Sequence, residues 1–427
     1  MSKSAYHIFL GQGDTTVANA RYWIHQLQSQ SQDPHDWVQI LSTKQNTLPD
    51  DLQSYYSRDL AYPKGPKRVW ISPGIHPDHP IFSQFINESW QENCITDIDY
   101  FLEHTTAKVI LVTGTNGKST VVSYLRTLLQ SVGCSCACYG NFQPGILKAV
   151  DQSWDWVIIE LSSFQLYWMK ASNWFEERGR DIQETVKASI LLNISDDHLD
   201  WHKGYQYYRQ AKHKIFSYSH VCISDHGSYG VSYMPRAQMM AQSRCGEQIL
   251  QEDLNRSAAL ECLSQLGFSS QIDGLQSPKS SYYLPHLPSL PYRQQQSMLG
   301  DTIVINDSKA TNMSATLSAI TTTRSMYNDK KILLVLAGIS KVVDHKKLYD
   351  RLASDGKIDV VVVGHDFQDL NDILLARLDY IEGLKMGIIS TYGVVLFSPA
   401  GTSYDQFKDF KARGSAFDTH IESIWDA

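Results

Sequence analysis

No stretch of the chain approaches the roughly 18–20 consecutive apolar residues that a bilayer-spanning helix needs, so the sequence predicts no membrane partner. The opening MSKSAYHIFLGQGD holds a short apolar run that turns at once into glycines, too brief for the core of a secretory signal. Excess positive charge is missing too. A formal net charge of −7 argues against a general binder of nucleic acid, although a local basic groove stays possible. Of the seven cysteines, Cys134, Cys136 and Cys138 alternate, but no second pair at zinc-ligand spacing accompanies them. They read as free thiols on one face of a strand, which fits a reducing, cytoplasmic compartment. No internal repeat of roughly 20–50 residues is present.

What the chain does have is length and short β-branched runs. Its 427 residues, 42% apolar and 19% charged, predict a soluble α/β protein of two or three domains. The first block (residues 1–96) alternates AYHIFL, WVQIL and RVWIS with a helix carrying Val17, Ala20, Trp23 and Ile24 on one face. The second block (97–287) holds KVILVT, WVIIE and ASILLNIS, the helix GKSTVVSYLRTLLQSVG with Val121, Val122, Leu125, Leu128, Leu129 and Val132 on one face, and the closing helix LNRSAALECLSQLG. Pro- and Ser-rich SPKSSYYLPHLPSLPYR reads as a linker. The third block (288–427) holds DTIVIND, KILLVLAG, DVVVVGHD and GVVLFSPA. Strands alternating with helices predict parallel sheets. Polar residues at strand ends (Thr113, Glu160, Asp196, Asp307, Ser398) predict ligand sites beyond the carboxyl edges.

ILVTGTNGKST, Ile110 to Thr120, has the strand–loop–helix setting of a phosphate loop, but it is two residues shorter than G-x-x-x-x-G-K-[ST]. Gly114, Thr115, Asn116 and Gly117 would bring N–H groups to an anion. Lys118 would supply positive charge, and Ser119 or Thr120 a hydroxyl for Mg2+. The alternative is a tight βα turn with a solvated lysine. Glu160, at a neighbouring strand tip, reads as a Mg2+ ligand or a carboxylate at a helix cap. In NISDDHLDWH, His198 stands among carboxylates as a ligand or a structural histidine. In YRQAKHKIF, Lys212 and Lys214 read as solvated lysines of a helix face, and the aromatics of YQYYR as packing. GQGDTT and the later SPG together suggest a second nucleotide-like site. NDSKATN offers Asp307, Lys309 and Thr311 to a ribose or carboxylate, or is a capped helix start. In SPAGTSYDQFKDFKARG, Ser403 contacts a ligand or caps the helix.

These motifs resemble the Mur ligases, ATP-dependent amide-forming enzymes of peptidoglycan synthesis that are related to folylpolyglutamate synthases. GTNGKST is similar to the family's shortened phosphate loop. INDSKATN and SPAGTSYDQFKDFKARG resemble the branch that adds D-glutamate, and the resemblance covers nearly the whole chain in order. It implies an N-terminal Rossmann-like domain, a central P-loop-type ATPase domain and a C-terminal Rossmann-like domain. It implies a monomer that uses ATP and two Mg2+ ions to join D-glutamate to UDP-N-acetylmuramoyl-L-alanine. Lys118 would contact phosphate. Glu160 would hold the first metal, and His198 the second together with a carbamylated Lys212. Asn141 and Ser162 would meet the muramoyl substrate. Asn255, Arg293 and Asp307 would contact the nucleotide. Lys309, Thr311, Lys341, Ser403, Tyr404 and Phe410 would line the D-glutamate pocket, and Thr15, Thr16 and Ser72 the uridine-diphosphate site.

The chain also departs from the family. Thr16 replaces a glycine, and Ser42 and Lys44 replace part of a uracil-reading group. Tyr292 replaces a common histidine, LAGISK has one glycine where the family has two, and the stretch between Lys212 and Asn255 is short. Two expectations compete with the D-glutamate ligase. A folylpolyglutamate synthase or a ligase for another amino acid is disfavoured by NDSKATN, and an inactive nucleotide-binding regulator by the retained Lys118, Glu160, His198 and Lys212.

Overall fold

The computed structural model describes residues 6–43, 47–60, 67–85, 94–143, 145–170, 181–225, 230–243, 249–271, 287, 289–342 and 344–425. Lys44 and most of the expected linker lie outside them. Three sheets organise the described chain. In the first, β1 (Tyr6–Leu10) lies between β2 (Val38–Leu41) and β4 (Lys67–Ile71), with β3 (Tyr56–Ser57) and β5 (Cys94–Ile95) at the edges. Every pairing is parallel. The helix Asp14–Ser29 follows β1, and apolar clusters cover both faces of the sheet.

The second sheet runs β11 (Val231–Ser232), β10 (Val221–Ser224), β9 (Val186–Leu191), β6 (Lys108–Thr113), β8 (Trp156–Glu160), β7 (Cys136–Gly140), again parallel throughout. Central β6 and β8 are buried on both faces, so they read as unbroken apolar runs. On the helix Lys118–Ser131 the expected face is buried except for Val132, which is the half-buried C-cap. Cys136 and Cys138 share the buried face of β7, while Cys134 precedes the strand and is partly exposed. The helix before β6, Asp97–His104, begins in a capping box. Thr96 accepts from Asp99 N–H, and the Asp99 carboxylate accepts from Thr96 N–H.

The third sheet runs β12 (Gln295–Leu299), β13 (Thr302–Asn306), β17 (Val394–Ala400), β14 (Ile332–Ala337), β15 (Ile358–Val363), β16 (Leu374–Leu378), with only β12 antiparallel. Two apolar clusters pack its faces. Ser398 lies inside β17 rather than at its end, because the strand continues through a register shift to Ala400. Asp196 likewise stands beyond the end of β9 at Leu191.

The described chain divides into two compact units. One is Met1–Ile194, Leu199–Arg236 and Asn255–Leu287. The other is Ser195–His198, Ala237–Leu254 and Pro288–Ala427. Among the described residues, no helix is long and apolar enough to cross a membrane.

Candidate active site

The short glycine loop leaves β6 at the centre of the second sheet. Gly117 adopts a left-handed φ of 85° and caps the helix that begins at Lys118. A Cβ there would stand 2.3 Å from Asn255 Oδ1, so only glycine lets Asn255, on the helix Gln251–Leu263, lie against the loop. Asn193, just beyond β9, grips the same loop. Its Oδ1 accepts from Asn116 N–H at 2.9 Å, its Nδ2 donates to Asn116 O at 3.1 Å, and its carbonyl accepts from Thr115 N–H at 2.8 Å. Thr115 Oγ1 meets the buried Tyr208 hydroxyl at 2.8 Å. Lys118 Nζ donates to the carbonyls of Gly114 at 2.9 Å and Thr115 at 3.0 Å, which keeps the ammonium on the loop. Ser119 and Thr120 sit half-buried in the first helical turn, whose N–H groups lie outside the helical ladder. A preformed loop, a cation and a helix N-terminus together suit a phosphate.

One strand along, β8 ends at Glu160, opposite Val112 in register. Asn141 Nδ2 donates to Glu160 Oε1 at 2.8 Å, and Asn141 N–H to the Glu160 carbonyl at 2.8 Å. Glu160 Oε2 is buried and lacks a hydrogen-bond partner. A carboxylate oxygen in that position is costly unless something else satisfies it, and a divalent cation would.

Lys212 is buried, with Nζ donating to Gly114 O at 2.8 Å, 3.5 Å from Thr113 Oγ1 and 4.9 Å from the Tyr208 ring centroid. It is therefore not the solvated lysine that the helical pattern predicts. Lys214 also turns inward, donating to the carbonyls of Tyr167 and Met169, and burial lowers its pKa. The helix Tyr205–His213 packs against the helix Ser163–Trp168, with Lys212 turned toward the loop, a reversal that periodicity alone cannot reveal. Ser162 caps the helix Ser163–Trp168 in a capping box with Gln165, and buried His202 meets Ser163 Oγ at 2.9 Å.

In the first sheet the strand order reverses at β1, and a cavity of about 400 Å3 opens beyond β1 and β4. Gly11, Gln12, Gly13, Ser42, Thr47 and Ser72 are among its lining residues. Thr16 is not. Its side chain is buried and donates to Leu10 O at 3.2 Å, while Thr15 stays half-buried. Gln12 Oε1 accepts from Thr47 N–H at 2.9 Å and from its hydroxyl at 2.8 Å, a link between two loops that no sequence motif announced.

In the second unit, Asp307 follows β13. Its carboxylate accepts from Ser398 Oγ at 3.1 Å and from Gln294 N–H at 3.2 Å. Burial pushes its pKa up to about 7 against those hydrogen bonds and the charge of Arg293. Lys309 Nζ lies 4.4 Å from the Phe410 ring centroid. Thr311 is half-buried, Ser403 buried and Tyr404 exposed. Asp409, not Ser403, caps the helix Phe410–Trp425, through Ala412 N–H at 2.8 Å.

Asp197 Oδ1 stands 2.7 Å from Lys341 Nζ and its Oδ2 3.6 Å from His198 Nε2. His198 has a left-handed φ of 53°. Arg413, unmarked in the sequence reading, is buried. Its guanidinium donates to Ser308 Oγ and O and to Gly401 O, tying the β13 turn to the β17 turn. Asn193 was legible only as one more polar residue beyond a strand end, and Arg413 carried no signal. Among the described residues, no group of three His, Cys, Asp or Glu side chains is ready to hold a metal. The expected donors instead include a lysine and hydroxyls.

Comparison with known proteins matches the family described as Mur ligase middle domain to residues 112–227. Among curated proteins, the UDP-N-acetylmuramoylalanine–D-glutamate ligase of Buchnera aphidicola subsp. Acyrthosiphon pisum (strain Tuc7) is 28% identical, over 98% of each chain. That of Francisella tularensis subsp. novicida (strain U112) is 26% identical, over 83% of this chain and 85% of its own. Among solved structures, the MurF ligase of Thermotoga maritima in complex with ADP shares the fold with a TM-score of 0.55 at 13% identity, covering 100% of this chain and 96% of that one. The UDP-N-acetylmuramate-alanine ligase MurC of the same organism gives 0.56 at 16%, covering 98% and 99%.

Proposed function

We infer that this chain, which belongs to the Mur ligase family, is the ATP-dependent ligase that joins D-glutamate to UDP-N-acetylmuramoyl-L-alanine in the synthesis of peptidoglycan precursors. The observation that carries this reading is the match to D-glutamate ligases along 98% of both chains. It takes in the third sheet and its NDSKATN turn, and not only the family-wide phosphate loop. In this reading residues 1–96 bind the uridine-diphosphate part of the substrate, 97–287 bind ATP and 288–427 bind D-glutamate. The protein acts as a cytoplasmic monomer on small molecules, with no nucleic-acid or membrane partner.

A carboxylate is a poor electrophile, so the reaction must first activate it. A carboxylate oxygen of the alanyl group attacks the γ-phosphorus of ATP and ADP leaves. The amine of D-glutamate then attacks the carbonyl carbon of the acyl phosphate, and the tetrahedral adduct collapses to the amide and inorganic phosphate. Lys118 and the N–H groups of the first turn of its helix hold the phosphates in line, since the Thr115 and Asn116 N–H groups are engaged by Asn193. Gly117 and Asn255 shape the adenine side of that loop, and Arg293 and Asp307 complete the nucleotide contacts. Asn141 orients Glu160 and meets the substrate near its reacting carboxylate, with Ser162 close in sequence to the same strand end.

One Mg2+ ion fits the donors present, since Glu160 Oε2 is a buried acceptor without a partner, and the resemblance adds a second. Glu160 and the Ser119 or Thr120 hydroxyl would hold one ion, and His198 the other with Lys212 as its carbamate. When bound, they would neutralise phosphate charge as the phosphoryl group moves. A carbamate converts the Lys212 amine from a cation into a carboxylate-like donor at the loop it already touches. Lys309, Thr311, Lys341, Ser403, Tyr404 and Phe410 receive D-glutamate, and Thr15 and Ser72 the uridine diphosphate, while Thr16, turned inward onto Leu10 O, shapes the turn behind them.

A panel of amino acids with phosphate release as readout tests the reading. With UDP-N-acetylmuramoyl-L-alanine, ATP and Mg2+, phosphate should appear with D-glutamate. Equal release with L-lysine, or with no amino acid, would sink it.

A further inference from the structure

The loop after β14 carries Lys341, and it is braced by side chains that the ligase reading leaves unused. Ser340 Oγ lies 2.8 Å from His345 Nε2, and His345 Nδ1 lies 2.7 Å from Asp369 Oδ1. The His345 backbone N–H donates to Asp369 Oδ2 at 2.9 Å, and the Ser340 N–H to Asp366 Oδ2 at 2.6 Å. The imidazole is 3% exposed and sits on the Phe367 ring, with centroids 4.8 Å apart. Asp366 and Asp369 belong to the turn after β15. Arg377 secures that turn through the carbonyls of Gly364, Asp366 and Phe367. At its base the Lys341 loop is pinned again. Ile339 N–H donates to Thr402 O at 3.0 Å, and Thr402 N–H to Ile339 O at 2.7 Å. Gly338, at a left-handed φ of 85°, permits this crossing, because a Cβ there would lie 1.9 Å from Thr402 O.

A serine, a histidine and an aspartate in this order are also the parts of a nucleophilic triad. The backbone weighs against that use, since three of the N–H groups around Ser340 are already engaged. A nucleophile of this kind needs N–H donors beside it to receive the developing oxyanion. Here the Ile339 N–H is engaged by Thr402 O, the Ser340 N–H by Asp366, and the Val342 N–H by Ser340 Oγ itself at 3.3 Å. What remains is a hydrogen-bonded strut between two loops.

We propose that Ser340, His345 and Asp369 are positioning residues that brace the Lys341 backbone, and so set the affinity of the site for the carboxylate groups of its amino-acid substrate. The proposal rests on the reading of Lys341 as an amino-acid contact. A lysine is a point charge on a flexible stem, so its ammonium is only as well placed as the backbone that carries it. The Lys341 ammonium is held 2.7 Å from Asp197 Oδ1, a placement that depends on the shape of its loop.

Ser340→Ala removes the link without opening a large cavity, and Ser340→Thr keeps the hydroxyl. Ser340→Ala should raise KM for D-glutamate about five- to tenfold, the worth of one hydrogen bond. It should leave kcat within about twofold and KM for ATP unchanged. Amide exchange at Ser340, Lys341 and Val342 should accelerate, and Ser340→Thr should restore both readouts. Asp369→Asn tests the other end of the strut and should act in the same direction. An unchanged KM for D-glutamate, or unchanged exchange at those amides, would overturn the proposal. If the wild type shows no dependence on D-glutamate at all, the ligase reading fails instead, and the exchange data alone still decide whether the brace exists.

Discussion

Lys212 reads from the sequence as one of two lysines on the exposed side of a helix, yet both turn inward, and Lys212 ends 2.8 Å from the carbonyl of Gly114. Periodicity reports which residues share a face, not which way the face points. Only the resemblance pointed to a functional role for Lys212. Glu160 stood out as a candidate, because a carboxylate at the tip of a buried strand is unusual on any account. Its partner Asn141 was legible only by resemblance. Asn193 and Arg413 were not, since their partners lie far along the chain. The Asn193–Asn116 link spans 77 residues and the Arg413–Ser308 link 105. At this scale the account predicts that Lys212→Ala lowers turnover on the order of 100-fold, as loss of a metal-binding group does. Added short-chain carboxylates should restore part of it by standing in for the carbamate. Normal turnover in the variant would remove the carbamate from the mechanism.

Among the elements, most buried parallel strands were legible, and of the edge strands only β7 was, through its alternating cysteines. β6, β8 and β14 are unbroken apolar runs because both faces are covered. By contrast, β12 is QQSML, largely exposed at an edge, and β3 and β5 are two residues each, too short for any period to show. The alternating cysteines were read correctly as free thiols. Burial pushes the Cys136 thiol up to about 11 and Cys138 up to about 12, which leaves both protonated and inert.

The helix Asp97–His104 supplies a pH test. Burial, reinforced by the nearby Asp99, pushes the Asp97 carboxyl from its ordinary 3.8 up to about 7. Between those values the folded chain holds a proton that the unfolded chain has released. This contribution to stability is therefore full below about pH 4 and is lost as pH rises through about 7. Asp97→Asn removes the titration. The Tm of the wild type should fall relative to that of the variant by about 2–4 °C between pH 5 and pH 7.5, the shift expected of roughly 2–3 kcal/mol in a chain of this size. Parallel Tm curves would show that Asp97 titrates normally.

For the whole molecule, the three α/β blocks were legible because each repeats the same alternation of β-branched run and helix, and among the described residues all the strand pairings but one are parallel. The grouping of the first two sheets into a single contact unit was not, since nothing local in a sequence records which surfaces adhere. In the proposed reading the shortened loop is the phosphate site, and the match to D-glutamate ligases along 98% of both chains points to the amine that is joined. The central claim is that ATP activates the carboxylate of UDP-N-acetylmuramoyl-L-alanine for attack by D-glutamate. Oxygen transfer tests it most directly. With that carboxylate labelled with 18O, the account predicts that one labelled oxygen moves into the released inorganic phosphate for each amide formed. Unlabelled phosphate, released while the amide forms, would contradict it.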